Sequence, residues 1–234
     1  ERSRTKDPKF VYGLVRAALT PIALGFYRAK AIGTENVPAD GPVLLAPNHF
    51  SNMDHFFAGV YLRRQIRFMA KSQLFGPPVL TSIFTHGGVF PVRRGHRDDE
   101  AFTTVYRIFE NGGAVLVYAE GGRSRSGGLG DPKPGIGRIA LESGVPVVPV
   151  AIHGSSGVRN IKKLRFPKVT IQFGQPMSFP AIADATKEQQ MEVSNAVFDQ
   201  VKLMYTGIDE LGVKGVRQKL KDALPAPEPD ASRL

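Results

Sequence analysis

The stretch Val43-Leu-Leu-Ala-Pro-Asn-His-Phe-Ser-Asn-Met-Asp54 joins an apolar run to turn residues, a histidine and an aspartate. The apolar run followed by proline and asparagine predicts a buried strand that ends in a sharp turn. Such a turn would bring His49 and Asp54 to one edge of a sheet. Because a carboxylate on one imidazole nitrogen leaves the other able to take a proton, we predict that His49 is a general base oriented by Asp54. No protein nucleophile is needed if the substrate brings its own hydroxyl.

Two other interpretations of these residues stay open. Ser51 and Asp54 have the spacing of a capping box, in which Asp54 would only satisfy backbone N–H groups at the start of a helix. His55 could be the titrating group instead of His49. Adjacent residues of a helix do not face each other, however, so Asp54 would not orient His55.

The composition is that of a chain that can bury a full core and that carries a large positive charge. Of its 234 residues, 42% are hydrophobic, which favours one main folded domain. The lack of cysteine excludes disulfides, a thiolate nucleophile and a cysteine-ligated metal. A net charge of +10 indicates a polyanionic partner: nucleic acid, an anionic membrane surface or a phosphorylated substrate. Nucleic acid is disfavoured, because there is no tryptophan and no RNP-like run.

Residues 10–27 are the longest apolar segment, and Arg16 interrupts them before they reach the roughly 18 apolar residues of a membrane-spanning helix. Apolar residues at helical spacing between basic flanks are typical of a helix that lies in a lipid interface. An ordinary amphipathic helix packed on the domain is the alternative. We therefore predict a membrane-interface helical segment over residues 1–28, a folded domain over residues 29–224 and a disordered, proline-rich tail over residues 225–234.

Strands and helices alternate along the rest of the chain, and the strands are apolar on both faces. This alternation predicts an α/β fold with a mostly parallel central sheet flanked by helices. The strands are predicted at residues 29–37, 43–46, 66–70, 87–92, 114–119, 145–152 and 169–173. The helices are predicted at residues 53–62, 98–111 and 136–143, with a C-terminal helix from a capping box at Thr186 to about Tyr205.

Three loops that follow predicted strands carry basic residues. Open α/β sheets bind their ligands beyond the carboxyl ends of the strands, so these are the candidate binding loops. They contain Lys71, then Arg93 with Arg94, then Glu120-Gly-Gly-Arg-Ser-Arg-Ser-Gly127. Glycine-rich backbone beside arginine suits a phosphate group. A single basic loop is usually a solvated surface, but the three together indicate a phosphate site beside the His49 turn.

Four ordered blocks of the sequence resemble those of the glycerolipid acyltransferases, specifically the 1-acylglycerol-3-phosphate acyltransferases. The blocks are His49 to Asp54, Gly88 to Arg93, Glu120-Gly-Gly-Arg-Ser124 and Val145-Pro-Val-Val-Pro-Val150. The resemblance covers residues 31–176 and implies the fold of the glycerol-3-phosphate acyltransferases. The sequence departs from the family pattern at Gly122, where threonine is usual, and at Gln73, where glutamate is common.

The resemblance implies roles for individual residues. His49 would be the base on the glycerol hydroxyl and Asp54 its partner, while Glu120 would support the substrate loop. The residues predicted to bind the substrate are Lys71, Arg93, Glu120, Gly121, Gly122, Arg123 and Ser124. The residues predicted to form the wall of the acyl-chain site are Val145, Pro146, Val148 and Pro149.

The resemblance also implies a reaction: transfer of a fatty acyl group from a thioester, acyl-CoA or acyl-carrier protein, to the free hydroxyl of lysophosphatidic acid, giving phosphatidic acid. We expect no cofactor besides this donor and no metal, because the five histidines lack a metalloenzyme spacing. The protein would lie peripherally or monotopically on the cytoplasmic face of the cell membrane, with the anionic membrane surface as its partner.

Three alternatives to this reaction remain. The first is an acyltransferase acting on another lysophospholipid or on glycerol-3-phosphate. The second is a serine hydrolase using Ser124 or Ser126, although neither serine lies in a G-x-S-x-G elbow. The third is a non-catalytic module that binds lipid surfaces through its basic residues.

Overall fold

The computed structural model describes residues 9–92, 99–124, 127–158 and 166–223. The strands are β1 (Lys30–Ile32), β2 (Val43–Pro47), β3 (Ile66–Lys71), β4 (Val89–Val92), β5 (Ala114–Leu116), β6 (Val147–His153) and β7 (Thr170–Phe173). They form one sheet in the order β1-β7-β6-β2-β5-β3-β4. All neighbouring strands are parallel except β6 and β7. The predicted mostly parallel α/β sheet is therefore confirmed.

Helices cover both faces of this sheet. They are α1 (Lys9–Pro21), α2 (Asp54–Gly59), α3 (Pro78–His86), α4 (Asp99–Glu110), α5 (Gly135–Ser143) and α6 (Lys187–Asp222). On one face, apolar residues of α4, α5 and α6 such as Val105, Ile139 and Phe198 pack against the strands. On the other, Tyr12 of α1 and Phe57 of α2 belong to a second apolar core. The sheet is thus buried on both sides, which explains its continuous apolar strands.

The predicted helix over residues 10–27 is present in two parts. After α1 the chain makes a π-helical turn at Ile22–Phe26. Pro21 explains the change, since proline has no backbone N–H and disturbs the helical hydrogen-bond ladder. One side is buried through Tyr12 and Ala23, whereas Phe10 is 79% exposed. The segment therefore packs on the domain through one face and presents apolar residues on the other.

The first strand is shorter than predicted. β1 ends at Ile32 and a 3-10 turn follows at Thr34–Asn36. Between them Gly33 has a φ of 73°, and a Cβ atom there would lie 2.3 Å from the carbonyl oxygen of Phe173. The chain must turn away from the sheet at this point because the backbone of β7 occupies the space ahead.

Two helices differ from the sequence prediction. Helix α3 was not predicted, because Gly76-Pro-Pro78 has the composition of a loop. Pro78 lies in the first turn of the helix, however, where its missing N–H costs nothing. Helix α6 continues to Asp222, so its predicted end near Tyr205 is wrong; the α-helical geometry is interrupted only at Gly212, with a φ of 61°. The predicted tail, residues 225–234, lies outside the described residues.

Candidate active site

The carboxyl ends of β2, β5 and β3 lie side by side in the sheet. Asn48 is the first residue after β2, and its buried amide joins this edge to β6. Its Nδ2 donates to the carbonyl of Ile152 at 3.0 Å, and its Oδ1 accepts from the N–H of Ile152 at 2.7 Å. The two bonds fix the direction in which the chain leaves β2, so His49 starts the turn from a rigid position.

His49 and Asp54 are in contact, as the sequence predicts. The Nδ1 atom of His49 lies 2.9 Å from Oδ2 of Asp54, and both side chains are buried. The imidazole also stacks on the ring of Tyr118, with centroids 3.6 Å apart and planes 13° apart. Because Asp54 engages Nδ1, the Nε2 atom is the nitrogen that can take a proton from a substrate. No sequence pattern predicts this contact, because Tyr118 follows β5 whereas His49 follows β2.

Asp54 also binds the backbone of the turn. Its Oδ2 atom accepts the N–H groups of Phe50 and Ser51, each at 2.7 Å. The predicted capping box is formed only in half: Asp54 accepts the N–H of Ser51, but the Ser51 hydroxyl accepts the N–H of Met53 at 3.2 Å instead of that of Asp54, and α2 begins at Asp54. A single carboxylate oxygen therefore contacts the imidazole and also accepts two backbone N–H groups of the turn. The two interpretations of Asp54, as a partner of His49 and as an acceptor for backbone N–H groups, are compatible.

Glu120 holds the main chain of His49 from across the sheet. Its Oε1 accepts the N–H of His49 at 2.8 Å, and its Oε2 accepts the N–H of Gly130 at 2.7 Å. Burial raises the pKa of the Glu120 carboxyl, and the two backbone hydrogen bonds oppose that shift. The N–H of Ser124 donates in turn to the carbonyl of His49 at 2.9 Å. The glycine-rich loop thus holds both the N–H and the carbonyl group of His49 by hydrogen bonds.

Gly130 is a residue of this site that sequence reasoning missed. A Cβ atom at position 130 would lie 2.6 Å from Oε2 of Glu120. Only glycine lets the backbone N–H approach the carboxylate this closely. Glycines are frequent in loops, so the sequence alone offers no signal that separates this one from the others.

The predicted phosphate-binding residues that the structure describes lie at the same sheet edge. Lys71 ends β3, and Arg123 follows β5 in the loop that holds His49; both are exposed. Gly121, also exposed, has a φ of 64°, so its backbone uses the freedom of glycine. Arg93 lies outside the described residues, and its predicted role stays a prediction. The described part of the site therefore offers two cations beside the His49 turn.

An apolar pocket lies between α1, α2, α3 and the strands β3 and β4. Its lining includes Tyr12, Leu19, Phe56, Phe68, Ile83 and Phe84, together with His55. The four residues predicted to form an acyl-chain wall do not line it. Val145 and Val148 are buried in the cores around the sheet, and β6 lies between β2 and β7. The pocket is lined by the helices and by Phe68 and Val89 of the two strands, and the predicted role of the four residues at the acyl chain stays a prediction.

His55 projects into this apolar pocket rather than toward Asp54. Its ring contacts Phe56 and Phe68, with centroid distances of 4.0 and 5.2 Å. Burial lowers the pKa of His55 from 6.5 to about 4. His55 is therefore neutral at physiological pH, and the geometry favours His49 as the base.

This depressed pKa predicts a loss of stability in acid. Between pH 6.5 and pH 4 the unfolded chain binds a proton at His55 that the folded chain does not, so the free energy of unfolding falls as the pH falls. The effect is at most about 3 kcal/mol. His55→Leu should flatten this dependence, as measured by urea unfolding at pH 7.5 and pH 4.5. An equal loss in both proteins would mean that His55 titrates normally.

The fold and the dyad together define an α/β protein with a buried histidine–aspartate pair at the carboxyl edge of its sheet. A family model described as Acyltransferase matches residues 28–153 of the chain. The chain belongs to the Acyltransferase family, and the resemblance seen in the sequence is confirmed.

Individual relatives extend this comparison. The chain is 31% identical over 136 residues to the chloroplastic 1-acyl-sn-glycerol-3-phosphate acyltransferase BAT2 of Brassica napus, covering 57% of this chain and 39% of that protein. It is 29% identical over 185 residues to the 1-acyl-sn-glycerol-3-phosphate acyltransferase of Bacillus subtilis, covering 78% and 90%. A glycerol-3-phosphate acyltransferase of Pseudomonas fluorescens is 26% identical over 193 residues, covering 65% and 23%. The chain thus spans less than half the length of the chloroplastic protein.

Among solved structures, the chain is similar to the 1-acyl-sn-glycerophosphate acyltransferase PlsC of Thermotoga maritima. The TM-score is 0.63 and the identity 23%, over 85% of this chain and 83% of that one. At this identity the likeness shows a shared fold. It agrees with the sheet and the flanking helices described above.

Proposed function

We propose that this protein transfers a fatty acyl group from a thioester donor to the free hydroxyl of lysophosphatidic acid, giving phosphatidic acid in phospholipid synthesis. The observation that carries the proposal is the buried pair of His49 and Asp54, with Nδ1 and Oδ2 2.9 Å apart, beside exposed cations and an apolar pocket. Relatives named for this activity support the same acceptor.

The chemistry requires one base. His49 takes the proton of the acceptor hydroxyl as its oxygen attacks the thioester carbonyl. The tetrahedral intermediate then expels the thiolate, so a carbon–oxygen bond forms, the carbon–sulfur bond breaks, and the thiolate takes up the proton. Asp54 stabilises the imidazolium that exists between these two steps. Neither a metal ion nor a cofactor besides the donor takes part in this scheme.

The proposal assigns each half of the acceptor to a different region. Lys71 and Arg123 bind the phosphate, because charged donors at the sheet edge suit a phosphomonoester. The apolar pocket between α1 and α3 takes an acyl chain, since its lining is almost entirely hydrocarbon. Anchoring both ends holds the hydroxyl near His49, which lowers the entropic cost of the reaction.

The oxyanion of the tetrahedral intermediate needs N–H donors that are not already used. In the His49 turn, the amides of His49, Phe50 and Ser51 are bound to carboxylates. Within the described residues, the amides of Gly122 and Arg123 donate to no partner. We therefore place the oxyanion site at these two amides of the glycine-rich loop.

The donor, the acceptor and the location are separate parts of the proposal. Either acyl-CoA or an acyl-carrier protein would supply the thioester. An anionic membrane surface would supply the lysophosphatidic acid, with the protein held peripherally or monotopically on the cytoplasmic face. Among the described residues, no helix combines the length and apolar composition needed to span a bilayer.

A second acceptor is favoured by one observation. Some relatives are named glycerol-3-phosphate acyltransferases, and the same cations would bind that phosphate. Glycerol-3-phosphate carries no acyl chain, however, so this acceptor would gain no binding energy from the apolar pocket. The intact His49 and Asp54 pair argues against a module that only binds lipid.

An acceptor panel tests the proposal. Purified wild-type protein is given acyl-CoA or acyl-carrier protein with lysophosphatidic acid, glycerol-3-phosphate, another lysophospholipid or monoacylglycerol, and the acylated product is quantified by mass spectrometry. We expect the highest kcat/KM for lysophosphatidic acid. A higher kcat/KM for glycerol-3-phosphate or another lysophospholipid would transfer the proposal to that acceptor, and no product with any of them would end it.

A further inference from the structure

Helix α3 presents an apolar face that the described part of the chain leaves exposed. Val79 is 74% exposed and Ile83 is 43% exposed, and residues four positions apart lie on one face of a helix. Helix α1 lies beside α3 and shows the same pattern, with Phe10 79% and Leu14 61% exposed. The two helices therefore form one apolar surface, which we call the α1–α3 surface.

The charge around the α1–α3 surface fits an anionic bilayer. No Asp or Glu occurs between Pro8 and Thr34 or between His55 and Arg97, the two stretches that contain these helices. Their exposed cations include Arg28, Lys30 and Lys71. Exposed apolar side chains on stretches whose charged residues are all basic are the pattern of an interfacial lipid-binding element.

Helix α6 provides an internal contrast. It also exposes single leucines, among them Leu203 at 65% and Leu211 at 47%. These residues share their helix with exposed Asp199, Asp209 and Glu210. Over Lys187–Asp222 the acidic and basic residues are equal in number, so this helix lacks the excess positive charge that an anionic surface attracts, and exposure of leucine alone does not indicate lipid contact.

The apolar pocket lies next to the α1–α3 surface and extends to His55, the neighbour of Asp54 in the chain. Leu19 of α1 and Ile83 of α3 line the pocket, and so does His55, which follows Asp54 directly. Ile83 is both exposed and part of the lining. A bilayer resting on this surface would therefore lie next to the cavity that the proposed function assigns to an acyl chain.

We propose that α3 is a membrane-contacting helix, and that it forms with α1 a single surface that inserts into the acyl region of an anionic bilayer. This inference rests on the proposed function for its biological use, because the acceptor is a membrane lipid. It differs from lipid binding by α1 alone, since it requires Val79 to enter the lipid.

A single-tryptophan reporter tests this directly, because the chain contains no tryptophan. Val79→Trp places an indole on α3, and Leu203→Trp places one at a similarly exposed site on α6. Each protein is mixed with vesicles of phosphatidylglycerol and phosphatidylcholine, with or without brominated acyl chains. We expect the emission of Val79→Trp to shift to shorter wavelength and to be quenched by the brominated lipid, and that of Leu203→Trp to stay unchanged. No shift for Val79→Trp, or equal shifts for both, would overturn the inference.

A loss-of-binding pair gives a second readout. Val79→Asp and Leu203→Asp each add one negative charge at an exposed position, so they have the same net charge. Val79→Asp should weaken sedimentation with the anionic vesicles by about tenfold or more, and Leu203→Asp should bind like the wild type. Equal binding of the two variants would contradict a role for α3.

Failure of this inference can be told apart from failure of the proposed function. Vesicle binding is measured without any acyl donor, so it can be positive even if no acyl transfer is detected. Val79 does not line the pocket, so turnover of a short-chain acceptor dispersed in detergent should be the same in Val79→Asp and wild type. If the enzyme is active but the emission of Val79→Trp neither shifts nor is quenched, only the role of α3 is refuted.

Discussion

Replacing His49 by alanine should lower kcat for acyl transfer by about 10²- to 10⁴-fold, the usual contribution of a general base. The Nδ1 contact to Asp54 and the stacking on Tyr118 hold the imidazole in one orientation, so no neighbouring group can replace it. The measurement is steady-state formation of phosphatidic acid by the purified variant, compared with wild type.

The fold should survive this change. The hydrogen bonds that hold position 49 use its main chain, through Glu120 and the amide of Ser124, and alanine keeps them. We expect the free energy of unfolding to fall by only about 1–2 kcal/mol, although the side chain is buried. Asp54→Asn should cost less activity than His49→Ala, because an amide oxygen can still accept the N–H groups of Phe50 and Ser51.

His153 supplies the matched control. Its Nε2 lies 3.0 Å from Oδ1 of Asp209, so it is a second histidine–aspartate pair at the end of a strand, but it touches no part of the proposed mechanism. His153→Ala should keep wild-type turnover. Near wild-type turnover in His49→Ala, or an equal loss in His153→Ala, would eliminate His49 as the base.

Replacing Arg123 by alanine should lower kcat/KM for lysophosphatidic acid by about ten- to a hundredfold. A hydrogen bond to a charged group contributes roughly 1.5–3 kcal/mol, and each 1.36 kcal/mol is a factor of ten. Arg123→Lys should recover only part of the loss, because lysine lacks the planar fork that binds phosphate in a bidentate way. The rate on monoacylglycerol, which has no phosphate, should change little.

Arg123 is exposed, and within the described residues its side chain makes no contact that the fold requires. Arg107, exposed on α4, is the control for lost charge, and Arg107→Ala should behave like wild type on both acceptors. Equal losses on the phosphorylated and neutral acceptors in Arg123→Ala would show that Arg123 binds the donor or shapes the loop. The phosphate assignment would then be withdrawn.

The part of the site that lies close together in sequence could be predicted from it. An apolar run, turn residues and a five-residue spacing were enough to place His49 beside Asp54. The contact from Glu120 to the N–H of His49 spans 71 residues, and no local pattern encodes it. Gly130 is required only because Glu120 approaches it, so its importance follows from the three-dimensional contact.

The residues predicted to form the acyl-chain wall, whose role stays a prediction, show a different limit of sequence reasoning. Val148 lies on a strand with a partner on each side, and it is fully buried. Apolar strands look the same in sequence whether they face a ligand or a packed helix. Helix α3, which does line the pocket, was hidden by its two initial prolines, because proline in a first helical turn and proline in a loop are alike in sequence.

A reaction in two stages measures most directly whether the acyl group passes straight from the thioester to the acceptor hydroxyl, as the proposed mechanism with a base and no protein nucleophile requires. The wild-type protein, at a concentration comparable to that of the acyl thioester, is first mixed with the thioester alone, and thiol release is followed; lysophosphatidic acid is then added. We expect no rapid thiol release in the first stage, followed by thiol and phosphatidic acid in equal amounts in the second. Release of about one thiol per protein before the acceptor arrives, together with an acylated protein, would show a covalent route through a protein nucleophile and contradict direct transfer.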